Sequence, residues 1–170
     1  MTDRQPFSEI VCLHGPTVLR VCRAMVGPVD ADDAWSETFL SALNAYPNLP
    51  AGANVEAWLV TIAHRKVIDI LRKSQRAATP VPEVPDKARE GDFDSVAFDL
   101  ARVLDQLPER QRLAVVYHYL GDLPYADVAE VIGGTPDAAR RAAADGIAKL
   151  RKDWARSARK IETKGTVQGP

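Results

Sequence analysis

The chain has 170 residues, of which 46% are apolar and 26% are charged, and its net charge is −1. This composition can bury a core, and it excludes the profile of intrinsically disordered chains, which combine low hydrophobicity with high net charge. Because the charges nearly cancel, no global positive field attracts nucleic acid, and any such binding has to rest on local segregation of charge.

The first part of the sequence predicts helices separated by turns. Apolar residues recur at helical spacing from Ile10 to Val26, and Gly27-Pro28 then stops the helix. The segment from Tyr46 to Asn54 contains two prolines and reads as a loop. Apolar residues at helical spacing from Val55 to Leu71 predict a further long helix.

An acidic amphipathic helix is predicted between these two helices. Asp30 can serve as its N-cap, and Trp35, Phe39 and Leu43 follow as an apolar stripe. From Ala24 to His64 the chain has no Lys or Arg and five acidic residues. Such a helix fits a basic partner helix, and it equally fits a core helix with a solvated acidic start, since the macrodipole favours acids there.

The rest of the chain predicts a linker followed by four more helices. From Ala77 to Gly91 the apolar period disappears and three prolines alternate with charged residues. Helical periodicity returns from Phe93 to Leu107, from Glu109 to Tyr119 and from Tyr125 to Ile132. A last helix is predicted from an N-cap at Thr135 to about Ser157, with proline at its first position.

No segment has the period of a β-strand, so the predicted fold class is all-α with two small helical domains. We expect the first domain at residues 1–76 and the second at residues 93–157. A Pro-rich flexible linker at residues 77–92 would join them, and a polar tail at residues 158–170 is expected to be disordered.

Positive charge is concentrated directly after the acidic stretch. Arg65, Arg72 and Arg76 fall on one face of the helix that begins at Val55, opposite its apolar face. Several cations on one face are typical of a surface that contacts phosphates, and such binding depends strongly on salt. A merely solvated charged face fits this pattern about as well.

The segment from Tyr125 to Leu150 is typical of a helix-turn-helix unit. Ala129 is small enough for two helices to pack closely, and Gly133 lies at the turn. Arg140 and Arg141 stand early in the second helix, where side chains reach base edges and phosphates in the major groove. The alternative is a helical hairpin in which these two arginines are only solvated.

Other site classes are disfavoured by the sequence. Cys12 and Cys22 are too few for a disulfide framework and fit burial in a reducing cytoplasm. The uncharged run from Thr38 to Val55 contains two prolines and three asparagines, which a membrane-spanning helix does not tolerate together. Since no phosphate loop or catalytic constellation stands out, we expect a soluble cytoplasmic protein with no enzymatic activity, cofactor, metal or membrane insertion.

Three blocks in this order resemble the extracytoplasmic-function group of the sigma-70 superfamily. They are DADDAWSETFLSAL (Asp30 to Leu43), VEAWLVTIAHRKVIDILRK (Val55 to Lys73) and LDQLPERQRLAVVYHYLGDLPYADVAEVIGG (Leu104 to Gly134). The resemblance implies an initiation factor that binds core RNA polymerase and promoter DNA. In this family an anti-sigma factor commonly sits between the two domains, and the Pro-rich linker would allow that here.

The resemblance also implies roles for individual positions. The first block would dock on the clamp helices of the largest polymerase subunit, the loop from Asn44 to Asn54 would capture an unstacked −10 base, and the last helix would read the −35 element. The residues at polymerase-docking positions are Asp32, Asp33, Glu37, Thr38 and Phe39, and Phe39 is expected, with Trp35, to lie partly in the core. Those at −10 positions are Tyr46, Asn48, Asn54, Arg65, Lys66, Arg72, Lys73 and Arg76. Those in the −35 helix-turn-helix are Tyr125, Thr135, Asp137, Arg140, Arg141 and Lys149.

The chain departs from the family pattern at two places. Family members usually have Asn after I-A-R in the third helix, whereas this chain has His64-Arg65. The last helix runs Ala138-Ala139-Arg140-Arg141-Ala142-Ala143-Ala144-Asp145-Gly146, in which alanines replace bulky and cationic residues. Asp145 would repel a phosphate, and Gly146 weakens a helix by about 1 kcal/mol relative to Ala.

Three hypotheses therefore remain at the level of sequence. The first is a polymerase-associated initiation factor. The second is a DNA-binding regulator of the same ancestry that no longer engages polymerase. The third is an interaction module that binds another factor and no DNA, which the basic helix face disfavours.

Overall fold

A computed structural model describes the backbone of residues 4–77 and 92–165 and the side chains of residues 4–77 and 99–160. No strand occurs in these ranges, and the all-α prediction is confirmed. Most of the predicted linker at 77–92 and the last part of the predicted tail, residues 166–170, lie outside the described residues.

The described chain folds into helices of very different length. They are α1 (Phe7–Ala45), followed by a 3-10 turn (Tyr46–Asn48), α2 (Val55–Arg76), α3 (Asp92–Asp105), α4 (Glu109–Val115), continued by a π turn (Val116–Leu120), α5 (Tyr125–Ile132) and α6 (Pro136–Gly165).

A break at Gly27 divides α1 into two halves. Gly27 has φ 78° and ψ 174°, a conformation that L side chains rarely adopt, and Pro28 restarts the helix. The indole Nε1 of Trp35 donates to the carbonyl of Gly15 over 3.0 Å, so the two halves fold back on each other. The predicted stop at Gly27 is confirmed. The predicted N-cap at Asp30 is wrong, because Asp30 lies inside the restarted helix, in the first turn after Pro28.

The last helix is longer than the sequence analysis predicted. α6 continues from Pro136 to Gly165, beyond the expected end near Ser157. Residues 158–165, assigned to a disordered tail, are therefore helical. This segment holds Ala, Arg, Lys and Glu without an internal Gly or Pro, so no helix breaker occurs before Gly165.

The helices form two packed units that touch each other. In the first unit α1 packs against α2, and in the second α4 and α5 pack against α6. α3 packs along α1, and the buried side chains of both units belong to one cluster. Together with the turn after it, α1 is long enough to cross a membrane at a mean hydropathy of 1.2, yet half of its most apolar window is buried inside the protein.

Gly146 lies where α6 approaches α4 most closely. A Cβ at this position would stand 2.7 Å from Val115 Cγ2 and 3.4 Å from the carbonyl oxygen of Gln111. The glycine that weakens α6 locally is thus required by the packing of the two helices.

We expect Gly146→Ala to lower the free energy of unfolding by about 1 kcal/mol, since overpacking typically costs about 1–3 kcal/mol and outweighs the helix propensity that Ala gains. Urea unfolding followed by circular dichroism measures the change. The double variant Gly146→Ala with Val115→Ala is the matched control, because it removes the methyl group that the new Cβ would meet. A single variant more stable than the wild type would contradict this packing.

Candidate functional site

In the second half of α1, after the break at Gly27, three of the five expected docking residues are exposed to solvent. Asp32, Asp33 and Glu37 are exposed, whereas Thr38 is 0% exposed and Phe39 is 6% exposed. Thr38 Oγ1 donates to the carbonyl of Ala34 over 2.7 Å, which satisfies the buried hydroxyl. The structure therefore corrects the expected surface position of Thr38, whereas the burial of Phe39 goes further than the partly buried position expected for it. Both side chains support the helix from within the core.

A stripe of exposed residues runs along the outer face of the same helix. They alternate at spacings of four and three residues, which places them on one side of a helix, and they are Val29, Asp33, Ser36, Leu40 and Leu43. We call this set the outer stripe. Leu40 is 62% exposed and Leu43 is 49% exposed, although large apolar side chains on a core helix are normally buried.

Sequence reasoning missed the outer stripe. It placed Leu43 with Trp35 and Phe39 in the core, and the structure contradicts that placement for Leu43. The signal that could have identified the stripe is the second apolar series, Val29, Leu40 and Leu43, which is offset from the first series on the helical wheel.

Tyr46 does not stand free in the loop after α1. Its ring lies 5.4 Å from that of Phe7 and 6.4 Å from that of Trp58, between centroids, and its hydroxyl donates to the carbonyl of Gln5 over 2.7 Å. The guanidinium of Arg4 lies over the ring at 5.2 Å. The side chain that was expected to stack on a base is thus engaged in holding the loop to the amino end of the chain.

The two asparagines of the loop differ in their environment. Asn48 is exposed at the end of the 3-10 turn. Asn54 is the N-cap of α2, where its Oδ1 accepts from the backbone N–H of Ala57 over 3.1 Å. Its Nδ2 also donates to Asp127 Oδ2 of α5 over 3.1 Å. Both polar ends of Asn54 are therefore occupied within the protein.

The basic residues of α2 lie opposite its buried face. Leu59, Ala63 and Val67 are fully buried, and they place the cations on the outer side of the helix. The exposed cations are Arg65, Arg72, Lys73 and Arg76, and Lys66 is partly buried. The predicted amphipathic arrangement of this helix is thus present.

His64, the first residue of the family departure in α2, faces the second unit. Its Nδ1 lies 2.5 Å from the hydroxyl of Tyr117 in the π turn. Burial lowers the pKa of the His64 imidazole, opposed by Glu109 and reinforced by Arg65 and Arg72. Burial also raises the pKa of the Tyr117 phenol, so the phenol stays protonated and its O–H donates a hydrogen bond to Nδ1 of the neutral His64 imidazole.

The turn between α5 and α6 has the geometry that the sequence predicts. Gly133 and Gly134 have φ 83° and 96°, and the guanidinium of Arg110 donates to the carbonyl of Gly133 over 2.7 Å. Thr135 Oγ1 accepts from the backbone N–H of Ala138 over 3.1 Å, which confirms Thr135 as the N-cap of α6.

A small cluster of rings and charges covers the start of α6. Tyr125 stacks on His118, with centroids 3.9 Å apart and an angle of 13° between the rings. Arg140 lies over the Tyr125 ring at 5.3 Å and pairs with Asp137 at 2.9 Å. These four side chains form one continuous polar and aromatic surface beside the exposed N-cap.

The other two cations of this helix differ from Arg140. Arg141 is exposed. Lys149 donates to the carbonyl of Gln106 over 3.0 Å, at the end of α3, where a cation is favoured by the unpaired helix carbonyls. Lys149 is therefore a contact between helices rather than an open cation.

The alanines of α6 have two different settings. Ala139 and Ala143 are 0% exposed, and Ala142 is 9% exposed, so they form the face that packs closely on the rest of the second unit. Ala144 lies on the exposed side. The small residues that seemed to replace DNA contacts are thus mostly on the core side of the helix.

No group of three or more His, Cys, Asp or Glu side chains within the described residues is placed to hold a metal ion. The expected burial of Cys12 is wrong, because Cys12 is exposed on α1. Cys22 is buried, which raises the pKa of its thiol to about 12. The surface of the described residues carries charged and polar side chains and exposed leucines, all of which are suited to contacts with macromolecules.

Comparisons with known proteins match both units. The family described as Sigma-70 region 2 matches residues 10–77, and the family described as Sigma-70, region 4 matches residues 97–150. Over 165 residues the chain is 28% identical to the ECF RNA polymerase sigma factor SigD of Mycobacterium tuberculosis, covering 89% of this chain and 78% of SigD. It is 28% identical over 156 residues to the RNA polymerase sigma factor CarQ of Myxococcus xanthus, covering 86% and 87%.

A solved structure has the same fold. The sigma factor RpoE in complex with the anti-sigma factor NepR from Bartonella quintana superposes with a TM-score of 0.70 at 19% identity, covering 86% of this chain and 94% of that chain. The likeness extends across both helical units.

We expect the buried His64 to make stability depend on pH. Because folding lowers the pKa of His64 below its ordinary value of about 6.5, the unfolded chain binds more protons, and the free energy of unfolding should fall as the pH drops below about 6.5. Urea unfolding at about pH 7.5 and about pH 5.5 measures the fall. His64→Gln, which keeps an acceptor and cannot titrate, should reduce the fall, and an equal fall in both proteins would contradict this role.

Proposed function

Since the chain belongs to the extracytoplasmic-function group of the sigma-70 family, we propose that its two helical units recognise different elements of the promoter. The protein is an RNA polymerase sigma factor, which binds core RNA polymerase and directs it to specific promoters. The observation that carries this function is the presence of a region 2 unit and a region 4 unit in one chain, in that order. We propose residues 1–76 and 93–157 as the two domains.

The proposed polymerase-docking surface is the exposed side of the second half of α1. Asp32, Asp33 and Glu37 supply negative charge that would steer a basic partner surface toward it. Leu40 and Leu43 supply apolar area that would become buried in the complex. Thr38 and Phe39 would contribute indirectly, by fixing the orientation of the helix.

The proposed −10 surface combines the outer face of α2 with the loop before it. Its cations are Arg65, Lys66, Arg72, Lys73 and Arg76, which would contact phosphates. Asn48 is the exposed loop side chain available for hydrogen bonds to an unstacked base. Tyr46 and Asn54 would act mainly by shaping the loop, because their polar groups are already bonded within the protein.

The proposed −35 surface is the start of α6. Arg140 and Arg141 would reach the major groove, and Tyr125 and Asp137 would hold Arg140 in position. Thr135 would fix the first turn of α6 beside the major groove, since it is the N-cap of that helix. Lys149 would contribute by fixing α6 to the end of α3.

We further propose that the protein acts by binding alone, in the cytoplasm, without a cofactor or a catalytic group of its own. An anti-sigma factor is a second proposed partner, since the structural relative from Bartonella quintana was solved with such a protein bound. This partner would compete with core polymerase for the same chain.

We expect Leu40→Ala with Leu43→Ala to weaken binding to core polymerase by about 10-fold or more, since complete burial of a leucine side chain contributes about 1.5–3 kcal/mol and each tenfold in affinity corresponds to about 1.4 kcal/mol. Fluorescence anisotropy of the labelled chain with purified core enzyme measures the affinity. Leu13→Ala is the matched control, because Leu13 is 64% exposed on α1 and lies outside the outer stripe. Unchanged affinity in the double variant would remove the outer stripe from the interface.

The −10 proposal predicts that Lys73→Ala with Arg76→Ala slows open-complex formation and reduces the salt dependence of DNA binding. Each lost phosphate contact should lower the slope of log K against log salt by about 0.7–0.9. Binding to promoter DNA at several salt concentrations gives the slope, with Arg23→Ala of α1 as a control for simple loss of charge. If the slope stays at the wild-type value, these cations do not contact phosphates.

A further inference from the structure

The last part of α6 projects from the rest of the described protein. From Trp154 to Lys160 every side chain is exposed, and the helix continues to Gly165. We call residues 151–165 the distal segment. At 1.5 Å per residue the distal segment is about 22 Å long. Because it lies beyond the buried part of α6, a partner can reach it without disturbing the core.

Trp154 is the most exposed large apolar side chain among the described residues, at 78%. A tryptophan that enters an interface buries about 150–250 Å², and tryptophans are among the residues that contribute most to binding. Arg151 and Ala158 lie one helical turn before and after Trp154 on the same side of α6. This side carries a large ring beside a small residue, so it is suited to packing against another helix.

The distal segment and the two residues before it carry a strong positive charge. Residues 149–160 contain six Lys or Arg and a single Asp. Arg151, Lys152 and Arg156 are exposed. Such a surface attracts an acidic partner and repels a basic one.

The outer stripe of α1 has the complementary properties. Val29 is 66% exposed and Leu40 is 62% exposed, and the acidic residues Asp33 and Glu37 lie with them on the exposed side. Ser36 is the smallest member of the outer stripe, and it leaves room for a large ring. Apolar area and charge on α1 therefore match those of the distal segment.

The two surfaces do not pack on each other within one chain. Trp154, Val29 and Leu40 are all exposed, which excludes such a contact in the described protein. A contact between the distal segment and the outer stripe therefore requires two copies of the chain.

We propose that the distal segment of one copy docks on the outer stripe of a second copy. Trp154 packs on the exposed apolar side chains of the outer stripe, and Arg151 and Lys152 face its acidic residues. Since each copy carries both surfaces, two copies related by a two-fold axis make the same contact twice, and the assembly closes as a dimer.

Other anionic partners fit the distal segment less well. Helices that bind a lipid surface do so in proportion to the apolar area they bury, and Trp154 is the only large apolar side chain described in the segment. Duplex DNA offers phosphates to the cations and stacks its bases away from Trp154. A second copy offers both charge and exposed apolar side chains.

The dimer contact covers the surface that we propose for polymerase docking. This consequence rests on the proposed function, whereas the dimer itself does not. A chain whose outer stripe is occupied by a second copy cannot use it for polymerase. Core polymerase and the second copy therefore compete, and the dimer stores the protein in a form that does not bind polymerase.

Sedimentation velocity over a range of protein concentrations tests the dimer. We expect the wild type to change from monomer to dimer as its concentration rises, and to do so less at high salt. Trp154→Ala should weaken the dimer by about 10-fold or more. Tyr119→Ala is the matched control, since Tyr119 is an aromatic residue that is 52% exposed in the π turn. A wild type that stays monomeric, or a Trp154→Ala chain that dimerises equally well, would overturn the proposal.

An exchange of charge between the two surfaces identifies the contact. One variant carries Asp33→Lys with Glu37→Lys, so that both of its surfaces are basic. The other variant carries Arg151→Glu with Lys152→Glu, so that acidic residues replace cations at the start of its distal segment. Each variant alone should dimerise about 10-fold less than the wild type, and an equimolar mixture should associate again, because opposite charges then face each other. A mixture that stays as weak as its components would contradict docking on the outer stripe.

Three further reagents separate this proposal from its alternatives. Phosphatidylglycerol vesicles or a random-sequence duplex that bind the wild type and not Trp154→Ala, without any dimer, would assign the distal segment to that partner and overturn the proposal. Core polymerase in excess should convert the wild-type dimer into complexes with one copy of the chain, and a dimer that persists on polymerase would overturn the competition. Failure of the proposed function has a different signature, because monomeric Trp154→Ala would then not bind core polymerase at all.

Discussion

The packing of Trp35 on Phe39, with ring centroids 4.6 Å apart, determines which side of the second half of α1 faces the core. Trp35 also reaches back to Gly15, which is possible only because Gly27 breaks the helix between them. With this side turned inward, Leu40 has no place in the core and faces solvent among acidic residues. The surface proposed to bind polymerase is therefore a consequence of how the first unit packs.

Small residues play the corresponding part in the second unit. Ala139, Ala143 and Gly146 let α6 approach α4 closely, and larger side chains would push the two helices apart. The position of Arg140 on the opposite side of α6 depends on this close packing. The composition of α6 thus reflects the constraints of the core as much as those of a DNA-reading surface.

Local signals in the sequence predicted much of this structure. The stop at Gly27, the cap at Thr135 and the division of α2 into apolar and basic faces all depend on neighbours within one or two helical turns. Side chains that bond over long distances could not be placed in this way. Tyr46 bonds to the amino end of the chain and Lys149 to the end of α3, and neither contact follows from periodicity.

Tyr117 illustrates the same limit in the site itself. The sequence predicted a helix there, and neither the π turn nor the contact of Tyr117 with His64 of α2 follows from periodicity. Family resemblance assigned Thr38 to a docking surface, and packing places its side chain inside. The resemblance assigns docking to a helix, and only the three-dimensional packing shows which residues of that helix are exposed.

The decisive experiment on the role of this protein in initiation is run-off transcription, with the protein added to sigma-free core polymerase on genomic fragments that include the region upstream of its own coding sequence. We expect discrete transcripts that require both the protein and the core enzyme and begin at defined positions. If the protein binds neither core polymerase nor any fragment, and no transcript appears, its role as an initiation factor is contradicted.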